Sequence, residues 1–489
     1  KMRQRLLRPR TTALLVLAVL CWAGTMGVGQ TAPTADQARP NRSPAVAPLT
    51  RGSAERQENR SNRQNRLPVR DRIPDATADP NDASAENDDS NKQRPGREEF
   101  NPAEERERRE SIQAFLDPLI KDLMSELRVP GAAIAIVRRD RVYMMQGYGF
   151  GDLTTKARVD AIRTRFPVGR ISANITAAAA LHAVDRGLIR LESPADAYLA
   201  AALPRPLGTS ITVEDLLLRE TGFAAVSENA GYASVARAPT LDEYLLRTRP
   251  AYRRRDTGPS DYEANLLGRI LERQSRLRYA DHIKQFFFLP IGMNRSGFAF
   301  LNADTVARDD GVAAGLRTRA GADVTAPAGW ARPYRYDSNK SSGEDHVSGR
   351  FARLPARYFA PAPALGLSTT AGDMSRYLVM LLDGGRFGQA RLLAEDAVGR
   401  MLDIRSEDRF LRPTYYYGLE PLRSEETGLA GRPAAARALV SIGDLPGYSA
   451  VLCLAPEKEF GLFLVTNSHA PKFRERVMRG FLDRFVFNK

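Results

Sequence analysis

The chain is poor in the residues that most often carry chemistry: four histidines, two cysteines and two tryptophans in 489 residues. His182, His282, His346 and His469 are scattered, with no pair at the spacing that puts two ligands on one helix face. There is no CxxC, no HExxH and no acidic calcium loop. Neither a protein-held metal centre nor a cofactor is therefore expected. Thiols are as scarce. Loss of the first segment, with Cys21, would leave Cys453 alone, and one cysteine forms no internal disulfide. Aromatics are almost missing between about residues 31 and 110, where runs such as SAENDDSNKQRPGREE dominate. That composition buries too little apolar surface to offset chain entropy, so residues 31–110 read as a disordered polar linker. No basic stripe interleaved with aromatics occurs, so no nucleic acid is expected as a partner.

What is present is positive charge, a formal net +14, with 43% hydrophobic residues. The excess reads as an Arg-rich solvated surface or as attraction to anionic envelope polymers and lipid headgroups. Lys1, Arg3, Arg5, Arg8 and Arg10 lead into an apolar run from Ala13 to Ala23, followed by Gly24, Gly27 and Gly29. Basic, then apolar, then small is the layout of a secretory signal. The uncharged stretch from Thr11 to Val28 lies at the lower edge of what spans a bilayer. Residues 1–30 thus read as a signal peptide or, if uncleaved, an N-terminal anchor that is the chain's one membrane contact. A secreted, periplasmic or cell-envelope location follows as an expectation.

Regular patterning begins near Ser111. SIQAFLDPLIKDLMSEL carries apolar residues at helical spacing, with Pro118 as an expected kink or restart. AAIAIV and RVYMMQGYGF then read as paired strands, and ALVSIG, YSAVLCLAP and FGLFLVTN as strands near the other end. Between them lie helical stretches such as TAAAALHAVDRG, ANLLGRILERQS and AGDMSRYLVMLLDGG. The expectation is an α/β (α+β) domain over residues 111–489. An antiparallel sheet would be built from both termini (about 111–165 and 405–489) with flanking helices. An all-helical lobe (about 166–404) would be inserted into it.

VPGAAIAIVRRDRVYMMQGYGFGDL, FPVGRISANITAAAALHAVDRGLIRLESP, ITVEDLLLRETGF, LGLSTTAGDMSRYLVMLLDGG and LPGYSAVLCLAPEKEFGLFLVTN follow one another in the chain. In that order they resemble the serine β-lactamase and penicillin-binding-protein family: class C β-lactamases, D-alanyl-D-alanine carboxypeptidases and related esterases. The resemblance covers about Ser111 to Lys489 and implies a β-lactamase-like fold.

It also implies where chemistry should be. Active relatives open a helix with a serine and place a lysine three residues on, sharing one face so that the amine can take the hydroxyl proton. Here Arg170 and Ala173 hold those positions. An always-protonated guanidinium is neither nucleophile nor base, and alanine titrates nothing. Ser172 and Thr176 have Ile175 and Ala179 at i+3, so a slipped register offers no base. Ser172 is expected to cap the helix. The Tyr-x-Asn motif falls on Pro259, Ser260 and Asp261, with Tyr262 one step beyond the Asn position, packed beside the helix start or shifted into the site. The Lys-Thr-Gly or His-x-Gly motif falls on Ser441, Ile442 and Gly443, where Gly443 keeps the close backbone approach. Arg219 stands where the family has a further histidine.

Together these substitutions imply a catalytically inactive, β-lactamase-related envelope protein. It would bind an anionic, peptidoglycan-derived ligand, such as an acidic peptide or cell-wall fragment, or an envelope protein partner. Arg170, Arg219 and Gly443 are its candidate binding residues, unless both arginines face solvent or pair with neighbours such as Glu220. The alternative is a serine hydrolase of the family (β-lactamase, carboxypeptidase or esterase), with Ser172 or Tyr262 recruited by misalignment.

Overall fold

The computed structural model describes residues 101–199, 210–219, 221–223, 231–232, 239–251, 260–298, 329–338, 346–355, 357–359, 362–402, 417–422 and 438–487. The expected signal or anchor, the linker up to residue 100, and Glu220 lie outside the described residues.

The first described element, α1 (Pro102–Glu126), starts earlier than the apolar periodicity suggests. Asn101 caps it by accepting from the Ala103 amide at 3.1 Å, Pro102 sits where its missing N–H is harmless, and Glu104 and Glu105 complement the helix N-terminus. The linker boundary drawn at residue 110 therefore falls inside this helix. Residues of its first turns also touch the sheet: Glu105 pairs with Arg138, and the Arg109 guanidinium lies 5.9 Å from the Tyr143 ring centroid. Polar composition hid these contacts, because charged side chains of the helix rather than apolar ones make them. Pro118 is carried inside a single helix, so the expected restart does not occur. Ile112, Leu116, Ile120 and Leu123 form its buried stripe.

β1 (Gly131–Arg138), β2 (Arg141–Asp152) and the short β3 (Ala157–Arg158) follow. The chain then leaves the sheet for α2 (Ile171–Asp185), α3 (Val213–Leu218), α4 (Asp261–Ser275) and α5 (Ala371–Leu382). It returns through β4 (Glu420–Pro421), β5 (Leu439–Leu445), β6 (Tyr448–Ala455) and β7 (Phe460–Thr466), and closes with α6 (Pro471–Phe481). The result is a seven-stranded sheet in the order β4-β5-β6-β7-β1-β2-β3. Its centre joins the two ends of the domain: β1 and β7 run antiparallel, with Ile134 opposite Leu464 and Ile136 opposite Leu462.

Both sheet faces are covered, so β1, β6 and β7 are buried at every residue rather than alternating. Ala132, Ile134 and Ile136 pack with Ile112 and Leu116 of α1 and Phe473 of α6. Ala133, Ala135 and Val137 point the other way, into the core shared with α2 and α5. Each fully buried Leu or Ile here contributes roughly 1.5–3 kcal/mol. α2 is buried from Ile171 through Ala183, an apolar helix enclosed on all sides.

The inserted lobe is not helical throughout. Tyr334–Tyr336, Phe351–Arg353 and His346–Ser348 form a small antiparallel sheet. Gly349, at φ +59°, turns between two of its strands, and Tyr336 meets Phe351 edge to face at 5.3 Å. Strands of three residues are too short for a period-two pattern to stand out in the sequence.

Candidate functional site

The site is assembled where α2, α4 and β5 converge. Phe166–Pro167 pairs with Ser368–Thr369, and Gly169, at φ +54°, turns the chain into α2. Gly443 of β5 lies directly against that turn. A Cβ there would stand 1.8 Å from the Val168 carbonyl oxygen and 3.3 Å from the Arg170 nitrogen. Only a residue without a side chain lets the strand come so near.

Arg170 occupies the N-cap position of α2 but makes no side-chain cap. Its guanidinium turns across to α4, whose first residue is Asp261 and whose cap is Ser260, accepting from the Tyr262 amide at 3.1 Å. Arg170 Nε lies 3.0 Å from Asp261 Oδ1, and Nη2 donates to Oδ2 at 3.3 Å. The pair thus joins the two residues at which the sequence resemblance expects the family's nucleophile and its Tyr-x-Asn motif. Its surroundings are unequal, the arginine side chain being 49% exposed and the aspartate 11%. Asp261 at a helix N-terminus is favoured by the macrodipole; Arg170 at one is not.

Ala173, at the lysine position, is buried against Ala264 and Ala364. Ser172 is not the helix cap. Its hydroxyl donates to the Gly169 carbonyl at 2.6 Å and accepts from the Leu367 amide at 2.9 Å, fastening the turn to the strand segment beside it. Tyr262 is held by Leu245 and Phe223. Its hydroxyl donates to the Leu245 carbonyl at 3.1 Å, its ring meets Phe223 edge to face at 5.5 Å, and burial raises its pKa. Ser441 is buried on β5 opposite Leu452, two residues before Gly443. Arg170, Asp261 and Gly443 are therefore brought together, while Ser172 and Tyr262 are committed elsewhere.

Arg219 ends α3 in the left-handed region, at φ +58°. Its charge acts on Glu263, a residue the sequence did not single out. Glu263 is buried and accepts from the Thr221 hydroxyl at 2.7 Å. Burial raises its carboxyl pKa; Arg219 and the Thr221 bond oppose the rise, and Asp261 adds to it. Asn174, also missed, donates to the Tyr417 carbonyl and accepts from the Tyr377 hydroxyl at 2.7 Å. An Asn inside the largely apolar α2 is a signal that could have marked Asn174; Glu263, in a helix rich in charged residues, carried none. Arg170 is thus matched by Asp261, while Arg219 acts on a carboxyl whose burial favours its neutral form.

Far from this cluster, at the C-terminal end of α2, a groove of about 560 Å³ is lined by Leu181, Asp185, Ile189, Arg190, Asp396 and Arg400. Among the described residues no group of three or more His, Cys, Asp or Glu side chains could hold a metal ion, and no helix is long and apolar enough to cross a membrane.

A mixed α/β domain with a large antiparallel sheet, and a helix N-terminus facing a strand glycine, is the frame of the serine β-lactamase and penicillin-binding-protein class. The family model described as Beta-lactamase matches residues 116–484, and the chain belongs to that family. It is 23% identical over 361 residues to Esterase EstB of Burkholderia gladioli, which covers 69% of this chain and 86% of that one. It is 24% identical over 200 residues to Protein flp of Staphylococcus aureus (strain COL), and there the match spans only 39% of each chain. Among solved structures, the octameric penicillin-binding protein homologue from Pyrococcus abyssi superposes with a TM-score of 0.57 at 21% identity, over 76% of this chain and 78% of that one. A class C β-lactamase from Rhodobacter sphaeroides gives 0.55 at 18% identity, over 76% and 98%. These likenesses establish the fold.

Proposed function

We propose that this chain is a non-catalytic envelope member of the Beta-lactamase family that binds a ligand carboxylate at Arg170. One observation carries the reading: Arg170, expected from the sequence at the nucleophile's position, holds its guanidinium side-on against Asp261 through Nε and Nη2. Covalent acyl transfer needs a hydroxyl beside a base, and Arg170 with Ala173 supplies neither. Side-on pairing leaves the end of the fork, Nη1 and the second Nη2 hydrogen, on a half-exposed side chain. That edge suits a carboxylate, and hydrogen bonds to charged groups contribute on the order of 1.5–3 kcal/mol. An acidic peptide end derived from the cell wall is the ligand class this supports. The basic, apolar and small order of residues 1–30 supports the envelope location.

The match to an esterase over most of both chains favours a second reading, hydrolysis through other residues. Two measurements separate them. Intact-mass spectrometry after long incubation with a labelled penicillin or a fluorophosphonate should show no adduct; a stoichiometric gain mapped to Ser172 or Ser441 overturns the non-catalytic reading. Calorimetry with N-acetyl-D-alanyl-D-alanine should show binding that weakens with salt and drops at least tenfold in Arg170→Ala. Equal affinity in the two proteins removes Arg170 as the carboxylate site.

A further inference from the structure

The same ion pair limits which carboxylates Arg170 takes. Asp261 is largely buried, and its Oδ1 is both inaccessible and without a hydrogen-bond partner, the 3.0 Å contact with Nε being poorly aligned. Oδ2 accepts from Nη2 and has lone-pair capacity for a second donor, on a side chain that is 11% exposed. A plain anion seated on the free end of the Arg170 fork would meet the Asp261 carboxylate as a like charge. Drawing the guanidinium away instead would leave a buried carboxylate unpaired, which is strongly unfavourable. A ligand carrying an ammonium beside its carboxylate avoids both penalties.

We infer that the Arg170–Asp261 pair is a zwitterion site. Arg170 takes the carboxylate and Asp261 Oδ2 the ammonium of an α-amino acid, so that Asp261 is the residue that decides specificity. The adjacency of the two protein groups, with Nη2 and Oδ2 only 3.3 Å apart, fits a ligand whose own charges are separated by a single carbon. A free amino acid matches this better than a longer peptide, whose termini stand further apart. This inference rests on the reading of Arg170 as a carboxylate site, and the test is arranged so that the two fail differently.

The test uses alanine, N-acetylalanine and alanine amide, each as both enantiomers, titrated into the full chain by calorimetry and by ligand-observed NMR at millimolar concentration. The preferred enantiomer of alanine should bind at least tenfold more tightly than its N-acetyl or amide derivative. Asp261→Asn should bring alanine and N-acetylalanine within about threefold of each other, and Arg170→Ala should abolish both. If N-acetylalanine equals alanine in the wild type while Arg170→Ala still abolishes both, the zwitterion site is overturned and the carboxylate site stands. If alanine amide binds as well as alanine, or Arg170→Ala changes nothing, both are overturned. No binding of any of the three at tens of millimolar also overturns both. Should a variant not fold, the wild-type series alone still decides whether the ammonium matters.

Discussion

A double-mutant cycle on Arg170 and Asp261 tests whether their contact is energetic or incidental. Two unit charges about 4 Å apart attract by about 4 kcal/mol at an effective dielectric near 20. Against that stand the partial desolvation of Asp261 and the entropy lost by a long arginine, up to about 2 kcal/mol when it is fully ordered. The exposures of 49% and 11% place the pair between a surface bridge and a buried one. Surface pairs are typically worth about 0.2–1 kcal/mol, and breaking a fully buried one costs roughly 3–5. The expected coupling is about 1 kcal/mol at low salt. Single substitutions mix this with helix-end effects, since Arg170 is unfavourable at the α2 N-terminus and Asp261 favourable at that of α4. The cycle cancels those, because each appears in a single and in the double variant. Urea unfolding of the wild type, Arg170→Ala, Asp261→Ala and the double variant, followed by circular dichroism, gives the number. In about 1 M salt, where the screening length is near 3 Å, it should fall by half or more. A coupling below about 0.3 kcal/mol at low salt, within the error of independent sites, would refute the argument and leave the contact as geometry without energy.

The close approach of β5 makes Gly443→Ala a severe substitution: a methyl 1.8 Å from the Val168 oxygen must push the strand off the α2 turn. A loss of about 3 kcal/mol is expected, at the upper end of overpacking, and an unchanged urea midpoint would count against the packing described. His182 and His282 are both buried, and burial holds each at about 4, below the ordinary histidine value. Each is neutral in the fold and protonates more readily when unfolded. Stability should therefore fall as pH drops from about 6.5 toward 4 and level off below that. His182→Gln with His282→Gln should flatten this part of the stability profile relative to wild type; an unaltered slope would assign acid sensitivity to other groups.

The sheet was legible in the sequence because its strands are short apolar runs near both ends of one domain, and the buried runs AAIAIV and FGLFLVT prove to be neighbours at its centre. What composition could not reveal depended on polar contacts. The first turns of α1 look like linker because Glu105, Arg106 and Arg109 carry no apolar period, yet Glu105 reaches Arg138 and Arg109 reaches Tyr143. The small sheet around Gly349 escaped for another reason: strands of three residues hold barely one cycle of alternation.

At the site, motif register could say which side chain stands at each family position but not what those side chains do to one another. Arg170 and Asp261 lie 91 residues apart and belong to separate motifs, so each reads alone as the decay of one catalytic group. Taken alone, an arginine at a helix N-terminus is a poor exchange for serine, since it sets a cation against the macrodipole. Opposite an aspartate at the start of α4 it becomes tolerable, because the carboxylate supplies the counter-charge that the helix end lacks. The aspartate in turn would be a largely buried anion whose Oδ2 lost the Arg170 donor if a serine faced it. Each substitution thus removes the main objection to the other, and neither is well explained by itself. On the proposed reading the two positions are better understood as one unit, an ion pair in place of a hydroxyl and an amide, than as independent departures from the family pattern. On that view restoring serine at 170 without asparagine at 261 should leave the cleft worse than it stands, with a buried carboxylate facing no cation.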